Sequence, residues 1–190
     1  MKEDHPRTIT VVDYDPSWPF TFEILKSRVL QAIGRLAVSV EHVGSTSVPG
    51  LAAKPVIDMD VVVAAVADVS MAIERLSTLG YVHRGNLGIE GREAFYNPPG
   101  SPPHHLYVCV QGATALANHL TIRDYLRSNS AAARTYSTLK KQLAEMFPTD
   151  MDRYVQGKTD FLVAILRESG FSENALTAIS DANATSVPAR

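Results

Sequence analysis

Residues 43–61 have the sequence VGSTSVPGLAAKPVIDMDV, which joins a turn of small residues to two aspartates on an apolar segment. The turn lies between the alternating segment 38–43 and the apolar segment 55–63, so the pattern predicts a strand, a turn and a second strand. Side chains two positions apart on a strand project from the same face, which places the carboxylates of Asp58 and Asp60 side by side. We therefore predict a central strand that carries a pair of carboxylates.

The aspartate pair predicts a site for a metal ion and a phosphate. Like charges on an apolar strand repel each other, and a hard divalent cation, Mg²⁺ or Mn²⁺, offsets that repulsion when phosphates complete its shell. Gly44 would let a phosphate approach the backbone, and Ser45 would donate to it through its amide and hydroxyl. Thr46 and Ser47 offer further donors. Both aspartates are predicted to be catalytic residues and metal ligands.

A longer part of the chain resembles a known protein family. Gly-Ser followed after a loop by Asp-x-Asp among apolar residues is similar to the signature of the nucleotidyltransferase superfamily. Residues 41–51, EHVGSTSVPGL, together with Ala-Lys-Pro at 53–55, resemble the GrpB family closely, and the resemblance extends over residues 10–168. Further matching positions are Tyr14–Pro16, Trp18–Pro19, His105–Val108, His119–Leu120, Arg123–Leu126, Leu139–Lys140, Tyr154 and Lys158.

The resemblance implies a fold and a position for the active site. The fold would be α+β, a nucleotidyltransferase-like mixed β-sheet flanked by helices with a helical C-terminal part, and the substrate pocket would lie over the two aspartates. Active nucleotidyltransferases bring a third carboxylate from a later strand, but the strand expected here, 104–110, has none. His105 or Tyr107 would stand at that position, while Glu90 and Glu93 lie in or before the preceding strand. Without a third carboxylate, one metal ion is favoured over two.

Several basic residues are candidate phosphate ligands. Lys54 precedes the aspartate strand and can either reach a phosphate or cover apolar surface with its stem. His119 and Arg123 are four residues apart on a predicted helix, as are Tyr154 and Lys158 on a later one. The alternative is that Arg123 pairs with a nearby acid and that Lys158 is solvated. We assign phosphate binding to Lys54, Arg123 and Lys158, and treat His119 as a possible rim residue or third metal ligand.

Other polar residues near the motif receive no catalytic assignment. Glu41 and His42 lie on opposite faces of their strand, so at most one faces the aspartates, and a structural hydrogen bond is as plausible as a catalytic role. A single histidine on a strand, such as His105, is more often a core or rim residue than a ligand or base. Lys140 and Lys141 are interpreted as the solvated face of a helix.

The length and hydrophobic content predict one domain. The chain has 190 residues, of which 45% are hydrophobic, and this suits a single core. We predict one domain over residues 1–180 and a disordered tail over 181–190, which has little to bury. A β-rich first strand is predicted at 8–12. Helices are predicted near 19–34, between Asp68 and Gly80, and near 117–127, 130–146 and 151–168, with short strands near 81–84, 93–97 and 104–110.

Composition narrows the possible partners. The formal net charge of −2 gives no basic field for a polyanion and argues against nucleic acid. Apolar runs fall short of the ~20 residues that cross a membrane, and the polar first residues do not resemble a signal peptide, so we expect a cytoplasmic protein. The single cysteine, Cys109, fits a reducing compartment. The sequence leaves the oligomeric state open.

Two functions from different classes remain open. The first is an enzyme that uses Mg²⁺ or Mn²⁺ to transfer a nucleotidyl group from a nucleoside triphosphate to an unidentified acceptor. The second is a non-catalytic module that binds a nucleotide or a coenzyme A precursor, since GrpB-like domains also occur fused to dephospho-CoA kinase. Either way, the partner is a nucleoside triphosphate or a related phosphorylated small molecule, and pyrophosphate release would separate the two functions.

Overall fold

The computed structural model describes residues 8–184, which form strands, helices and short 3-10 turns. The strands are β1 Ala37–Val43, β2 Ile57–Val63, β3 Val82–His83, β4 Arg92–Tyr96 and β5 His104–Val110. The helices are α1 Trp18–Ile33, α2 Val69–Ser77, α3 Thr114–Ser128, α4 Ser130–Met146, α5 Met151–Glu168 and α6 Glu173–Ala184. No helix in this part of the chain combines the length and the apolar character of a membrane span.

The strands form a mixed sheet with the order β1-β2-β5-β4-β3. β2 pairs parallel with β5 and antiparallel with β1, whereas β4 pairs antiparallel with both β5 and β3. β2 therefore has a hydrogen-bonded neighbour on each side and is buried over most of its length. The predicted α+β fold, with a mixed sheet flanked by helices and a central aspartate strand, is confirmed.

One face of the sheet is closed by α1 and α2. Val29 and Ile33 of α1 and Leu76 of α2 are fully buried against Met59 and Val61 of β2. Burying a side chain of this size contributes about 1.5–3 kcal/mol, so this layer supplies much of the core energy. Because Met59 and Val61 alternate with the aspartates along β2, the carboxylates face the opposite side.

The aspartate face is covered in part by α3 and the helices that follow it. Leu116 of α3 packs on Val62 of β2 and Cys109 of β5. Further along the chain, α4 and α5 pack with α3, and their apolar residues form a second cluster with Val48 and Leu51 of the loop after β1. The helical C-terminal part is thereby joined to the loop that precedes the aspartate strand.

The predicted first strand is wrong. Residues 8–12 form one isolated bridge, between Val12 and Ala53, and the amide of Ile9 donates to the carbonyl of Pro148 at 2.7 Å. The backbone hydrogen bonds of this segment therefore go to a loop and to a helix connection instead of a sheet edge. Its β-rich composition is explained by burial, because Ile9 packs on Leu143 and Tyr154.

The C-terminal boundary also differs from the prediction. Helix α6 was not predicted, and it extends through Ala184, four residues into the segment predicted to be disordered. Leu176 is buried, and an exposed ion pair joins Arg167 to Glu173 at 2.9 Å. Leu176 is the one buried residue of α6 among small and polar residues, so the sequence pattern did not predict a helix. Residues 185–190 of the predicted tail lie outside the described part of the chain.

Gly157 sets the distance between α4 and α5, which provides a test of this packing. A Cβ at Gly157 would overlap the side chain of Leu143. We expect Gly157→Ala to lower the free energy of unfolding by about 1–2 kcal/mol, because overpacking outweighs the better helix propensity of alanine. In a Leu143→Ala background the same change should be neutral or stabilising. Urea unfolding of the four chains gives the coupling, with Gln156→Ala as the exposed control, and additive effects would contradict the packing.

Candidate functional site

The sheet register gathers polar side chains around the two aspartates. Asp58 lies beside His105 of β5, and Asp60 lies between Glu41 of β1 and Tyr107 of β5. Directly opposed residues of neighbouring strands project to the same side of a sheet. The two acids of β2 therefore share one face with an acid, a histidine and a tyrosine from the strands on either side.

Asp58 is the more exposed acid, with 30% of its side chain accessible. His105 Nδ1 donates to Asp58 Oδ1 at 2.8 Å, which leaves His105 Nε2 free because an ionised carboxylate only accepts. Burial acts to raise the pKa of Asp58, but the His105 hydrogen bond and nearby positive charge outweigh it, so the pKa lies below its usual value. The other oxygen, Oδ2, lies against Gly44, where a Cβ would overlap it. Gly44 therefore makes room for the carboxylate.

Asp60 is fully buried. Its Oδ2 accepts a hydrogen bond from His119 Nδ1 at 2.7 Å, whereas its Oδ1 is buried and has no hydrogen-bond partner within residues 8–184. A buried carboxylate oxygen without a partner is costly, and a cation would satisfy it. Of the two carboxylate oxygens of Asp60, Oδ2 is therefore satisfied by a hydrogen bond and Oδ1 is not.

The turn after β1 begins at Gly44, whose φ of 68° is in the left-handed region that favours glycine. Thr46 and Ser47 are buried, and their hydroxyls donate within the protein, Thr46 to the carbonyl of Val56 and Ser47 to the carbonyl of Gly44. These two predicted phosphate donors instead hold the turn in shape. The hydroxyl of Ser45 faces helix α4.

His42 lies on the opposite face of β1 from the aspartates. Its ring stacks on Phe22 of α1 with centroids 4.5 Å apart, and its Nε2 lies 3.0 Å from Thr46 Oγ1. Burial lowers the pKa of His42 to about 4, so the ring is neutral at pH 7. Of the two roles considered for His42, the structure supports the structural hydrogen bond.

Lys140 of α4 is a site residue that the sequence analysis missed. It is only 2% exposed, and its Nζ donates to Ser45 Oγ at 2.8 Å and to the carbonyl of Ala52. The Nζ also lies 4.5 Å from the centroid of the Tyr136 ring. Burial, followed by the charge of Lys158, lowers the pKa of Lys140 to about 7. The interpretation of Lys140 as a solvated residue is therefore wrong.

The helical spacing contains the signal that separates Lys140 from its neighbour. The buried positions of α4 are 133, 136, 140 and 143, so Lys140 stands in line with the apolar residues of the helix. Lys141 is exposed and pairs with Asp13 at 2.6 Å, as expected for a solvated face. A lysine on the apolar stripe of a helix requires an acceptor, and here the acceptors are Ser45 and Ala52.

Two further lysines lie near the same place, on either side of Tyr154. The Nζ of Lys158 lies 4.6 Å from the ring centroid of Tyr154, and that of Lys54 lies 5.9 Å from it. Burial lowers the pKa of both, and the pKa of Lys158 falls to about 8 with help from the charge of Lys54. Lys54, Lys140 and Lys158 form what we call the lysine cluster, and all three interact electrostatically with Asp58.

Arg123 is paired with protein acids. Its Nη1 donates to Glu41 at 2.8 Å and to the carbonyl of His42, while Nε and Nη2 donate to Asp124. Because all three guanidinium nitrogens have acceptors, the structure matches the alternative in which Arg123 pairs with a nearby acid. The same pairing engages Glu41, the carboxylate nearest Asp60 in the register.

The strand predicted to lack a third carboxylate does lack one. β5 places His105 and Tyr107 opposite the aspartates, and burial raises the pKa of Tyr107 to about 12, which keeps its hydroxyl neutral. Within residues 8–184, no group of three or more His, Cys, Asp or Glu side chains is arranged to hold a metal ion. The predicted site residues that the structure brings together are Gly44, Ser45, Lys54, Asp58, Asp60, His105, Tyr107, His119 and Lys158, whereas Thr46, Ser47 and Arg123 are engaged in structural contacts.

Most of the chain matches known proteins in sequence. Residues 8–168 match the family model described as GrpB protein. YqkA of Bacillus subtilis is 36% identical over 156 residues, which is 82% of this chain but only 46% of YqkA. Dephospho-CoA kinase of Mycolicibacterium paratuberculosis is 26% identical over 175 residues, which is 79% of this chain and 43% of the kinase. The chain thus spans less than half the length of these two relatives.

Two solved structures are similar to this chain, one at the level of the family and one at the level of the fold. The crystal structure of the conserved protein GrpB from Enterococcus faecalis is 37% identical and has a TM-score of 0.76, covering 88% of this chain and 98% of that one. The Cid1 poly(U) polymerase with MgGTP bound is 14% identical and has a TM-score of 0.51, covering 70% of this chain and 44% of that one. The second likeness shows that the chain shares its fold with part of the Cid1 poly(U) polymerase.

The depressed pKa of Lys140 predicts a change of stability with pH. Relative to Lys140→Met, the unaltered protein should gain free energy of unfolding as the pH rises from about 7 to about 10. The pKa is about 7 in the folded chain and 10.5 for a free lysine, so the unfolded chain binds more protons in this window and stability increases with pH. Urea unfolding at pH 7, 8, 9 and 10 measures the difference. Lys141→Met is the matched control, and an equal pH slope in both variants would contradict the buried ammonium.

Proposed function

This chain belongs to the GrpB family, and from the geometry around β2 we propose that it binds a nucleoside triphosphate with a divalent cation and transfers the nucleotidyl group to an acceptor. The observation that carries the proposal is the position of the lysine cluster near Asp58, with Lys140 bound to Ser45. Paired carboxylates suit a cation, and clustered ammonium groups suit the phosphates that accompany it. The nucleotidyltransferase fold supports the same conclusion.

The lysine cluster supports a polyphosphate-binding role because its charges are poorly compensated. Lys140 donates to two neutral oxygens, and Lys54 contacts the sulfur of Met151 at 3.7 Å. Lys158 lies over an aromatic ring, which compensates a cation only in part. An anion between these groups would favour their charged forms and would raise their pKa values towards the ordinary range. Triphosphate binding at neutral pH should therefore be accompanied by proton uptake.

The residues around β2 fit one divalent cation. Asp58 Oδ2 accepts no hydrogen bond within residues 8–184, and Asp60 Oδ1 is buried without a partner, so each acid has one oxygen available. Mg²⁺ binds through one or two carboxylates and completes its shell with phosphate oxygens and water. Once bound there, Mg²⁺ or Mn²⁺ would neutralise charge on the phosphates. The engagement of Glu41 by Arg123 and the neutral hydroxyl of Tyr107 favour a single ion over a pair.

The chain's own residues then have distinct tasks. His105 and His119 hold the two carboxylates in fixed orientations, each through its Nδ1. Gly44 makes room for the Asp58 carboxylate beside the turn. The lysine cluster would neutralise the pyrophosphate as it leaves, and preorganised charges of this kind are the main source of catalysis in phosphoryl-group chemistry. His119 and Tyr107 stand at the rim.

A non-catalytic binding module is the second candidate. The similarity to a dephospho-CoA kinase favours the binding module. The chain matches only 43% of that enzyme, and the enzyme's name gives a different activity. Both aspartates are also held by histidines, which suits a static site as well as a catalytic one. A binding module would retain nucleotide or a coenzyme A precursor and release no pyrophosphate. An enzyme would release pyrophosphate once its acceptor is supplied.

Thermal unfolding tests the metal and phosphate site directly. A nucleoside triphosphate with Mg²⁺ or Mn²⁺ at about 100 times its dissociation constant should stabilise the unaltered protein by about 2.7 kcal/mol, or about 5–11 °C. Asp58→Asn should remove the metal-dependent part of this shift, because it removes a ligand charge. The control is Asp160→Asn, which changes an exposed aspartate on α5. A full shift in Asp58→Asn, or a shift that does not depend on metal, would contradict the site.

A further inference from the structure

A large cavity lies beside His119 of the aspartate face. It has a volume of about 1020 Å³ and lies between α6, the starts of α2 and α3, and the β4–β5 part of the sheet. This is the size of a site for a small organic molecule. Its wall includes Arg92 of β4, Asn118 and His119 of α3, and Ala175 and Ile179 of α6. The cavity has no part in the nucleotide site described above, apart from His119.

Two polar atoms in this wall are buried without hydrogen-bond partners in residues 8–184, Nε of Arg92 and Oδ1 of Asn118. The guanidinium of Arg92 lies 4.4 Å from the ring centroid of Tyr107, so packing holds it in place. An unpaired buried donor on a cation requires an acceptor, best supplied by an anion, and an unpaired amide oxygen requires a donor. The two atoms together suit a ligand that has both an anionic group and a hydroxyl or amino group.

The remaining surroundings of the cavity suit the same class of ligand. Glu93, an acid of the same wall, is already held by His83, with Nε2 and Oε2 2.6 Å apart. The α6 side is formed by the small apolar residues Ala175 and Ala178 with Ile179, which can contact the carbon skeleton of a ligand. A wall that combines small apolar residues with a few polar side chains, here Arg92 and Asn118, is typical of small-molecule sites.

His119 connects the cavity to the aspartate face. It lines the cavity, while its Nδ1 is bound to Asp60 Oδ2 at 2.7 Å. Its ring also lies 5.9 Å from that of Tyr107, on which Arg92 stacks. A molecule held by Arg92 and Asn118 would therefore lie one side chain, His119, away from Asp60. In a transfer reaction the acceptor has to lie close to the nucleotide and its cation.

We propose that this cavity binds the acceptor, and that the acceptor is a small carboxylate with a hydroxyl or amino group. Its function as acceptor rests on the proposed nucleotidyl transfer, whereas its binding does not. In the transfer, the acceptor oxygen or nitrogen forms a bond to the α-phosphorus of the nucleotide. The bond from that phosphorus to the bridging oxygen breaks, pyrophosphate leaves, and the acceptor proton passes to water. Arg92 holds the carboxylate and Asn118 accepts from the hydroxyl or amino group.

Isothermal titration without nucleotide or metal tests the binding. The probes are D-gluconate and L-serine, with D-glucitol as the neutral analogue of gluconate and hexanoate as the analogue without hydroxyls. At least one of the first two should bind, and its binding should weaken at least about tenfold in Arg92→Met and in Asn118→Leu. Arg84→Met is the matched control, because Arg84 also stacks on a tyrosine, Tyr96, at 4.4 Å, but lies outside the cavity wall. D-glucitol and hexanoate should bind more weakly than gluconate.

A second pair of variants tests the position of the ligand without changing a polar group. Ala178→Phe should fill part of the cavity and abolish binding of the probe, whereas Thr177→Phe adds the same bulk to an exposed position of α6 outside the cavity wall. Thermal unfolding of each variant shows that it is folded. Failure of gluconate and serine to bind the unaltered protein, or equal effects of the two substitutions, would overturn the acceptor site.

The two proposals fail in different ways. If probe binding depends on Arg92 while no nucleotide stabilises the protein in the presence of metal, the cavity is a binding site and the transferase function is overturned. If nucleotide and metal bind through Asp58 but no probe enters the cavity, the transferase function remains and the acceptor site is overturned. Transfer of label from an α-³²P-labelled nucleoside triphosphate to the bound probe would support both.

Discussion

The carboxylate of Asp60 lies at the centre of the sheet without solvent contact, and much of the surrounding structure serves to accommodate it. A buried charge is tolerated only when it is paired or coordinated. His119 provides one hydrogen bond from α3, which ties the helix to the sheet, and the other oxygen has no partner within residues 8–184. The position of α3 then determines where Arg123 meets Glu41 and where the large cavity opens. The site is therefore a consequence of how a buried acid is accommodated.

The loop between β1 and β2 is held from the opposite side by the helical part. Lys140 and Ser137 of α4 bind the backbone at Ala52, and Arg127 of α3 donates to the carbonyl of Ser47 through two nitrogens. These hydrogen bonds add to the packing of Val48 and Leu51 and hold the loop in place. They also place the Ser45 hydroxyl against Lys140. Fold and site share the same contacts.

The sequence was informative where the chemistry lies on regular elements. The two-residue spacing on β2 and the need for glycine at position 44 follow from strand geometry and steric limits, and both are seen in the structure. The partners of these residues depend on tertiary approach, which spacing does not determine. Arg123 pairs with acids, and Lys140 donates a hydrogen bond to a hydroxyl 95 positions earlier in the chain. The position of Lys140 on the apolar stripe of α4 could have predicted its burial. No comparable pattern in the sequence predicted α6 or the cavity beneath it.

The attachment of Lys140 affects how the molecule opens as well as how it binds. If α4 separated from the sheet, the loop at Ala52 would lose both the Lys140 and the Ser137 contacts at once. The loop and the helix should therefore open as one cooperative unit, with similar protection of their amides from hydrogen exchange. A partly unfolded chain that kept its sheet would have its aspartates but no ordered loop between β1 and β2. A substitution that loosens α4 far from the sheet would therefore change the surroundings of β2.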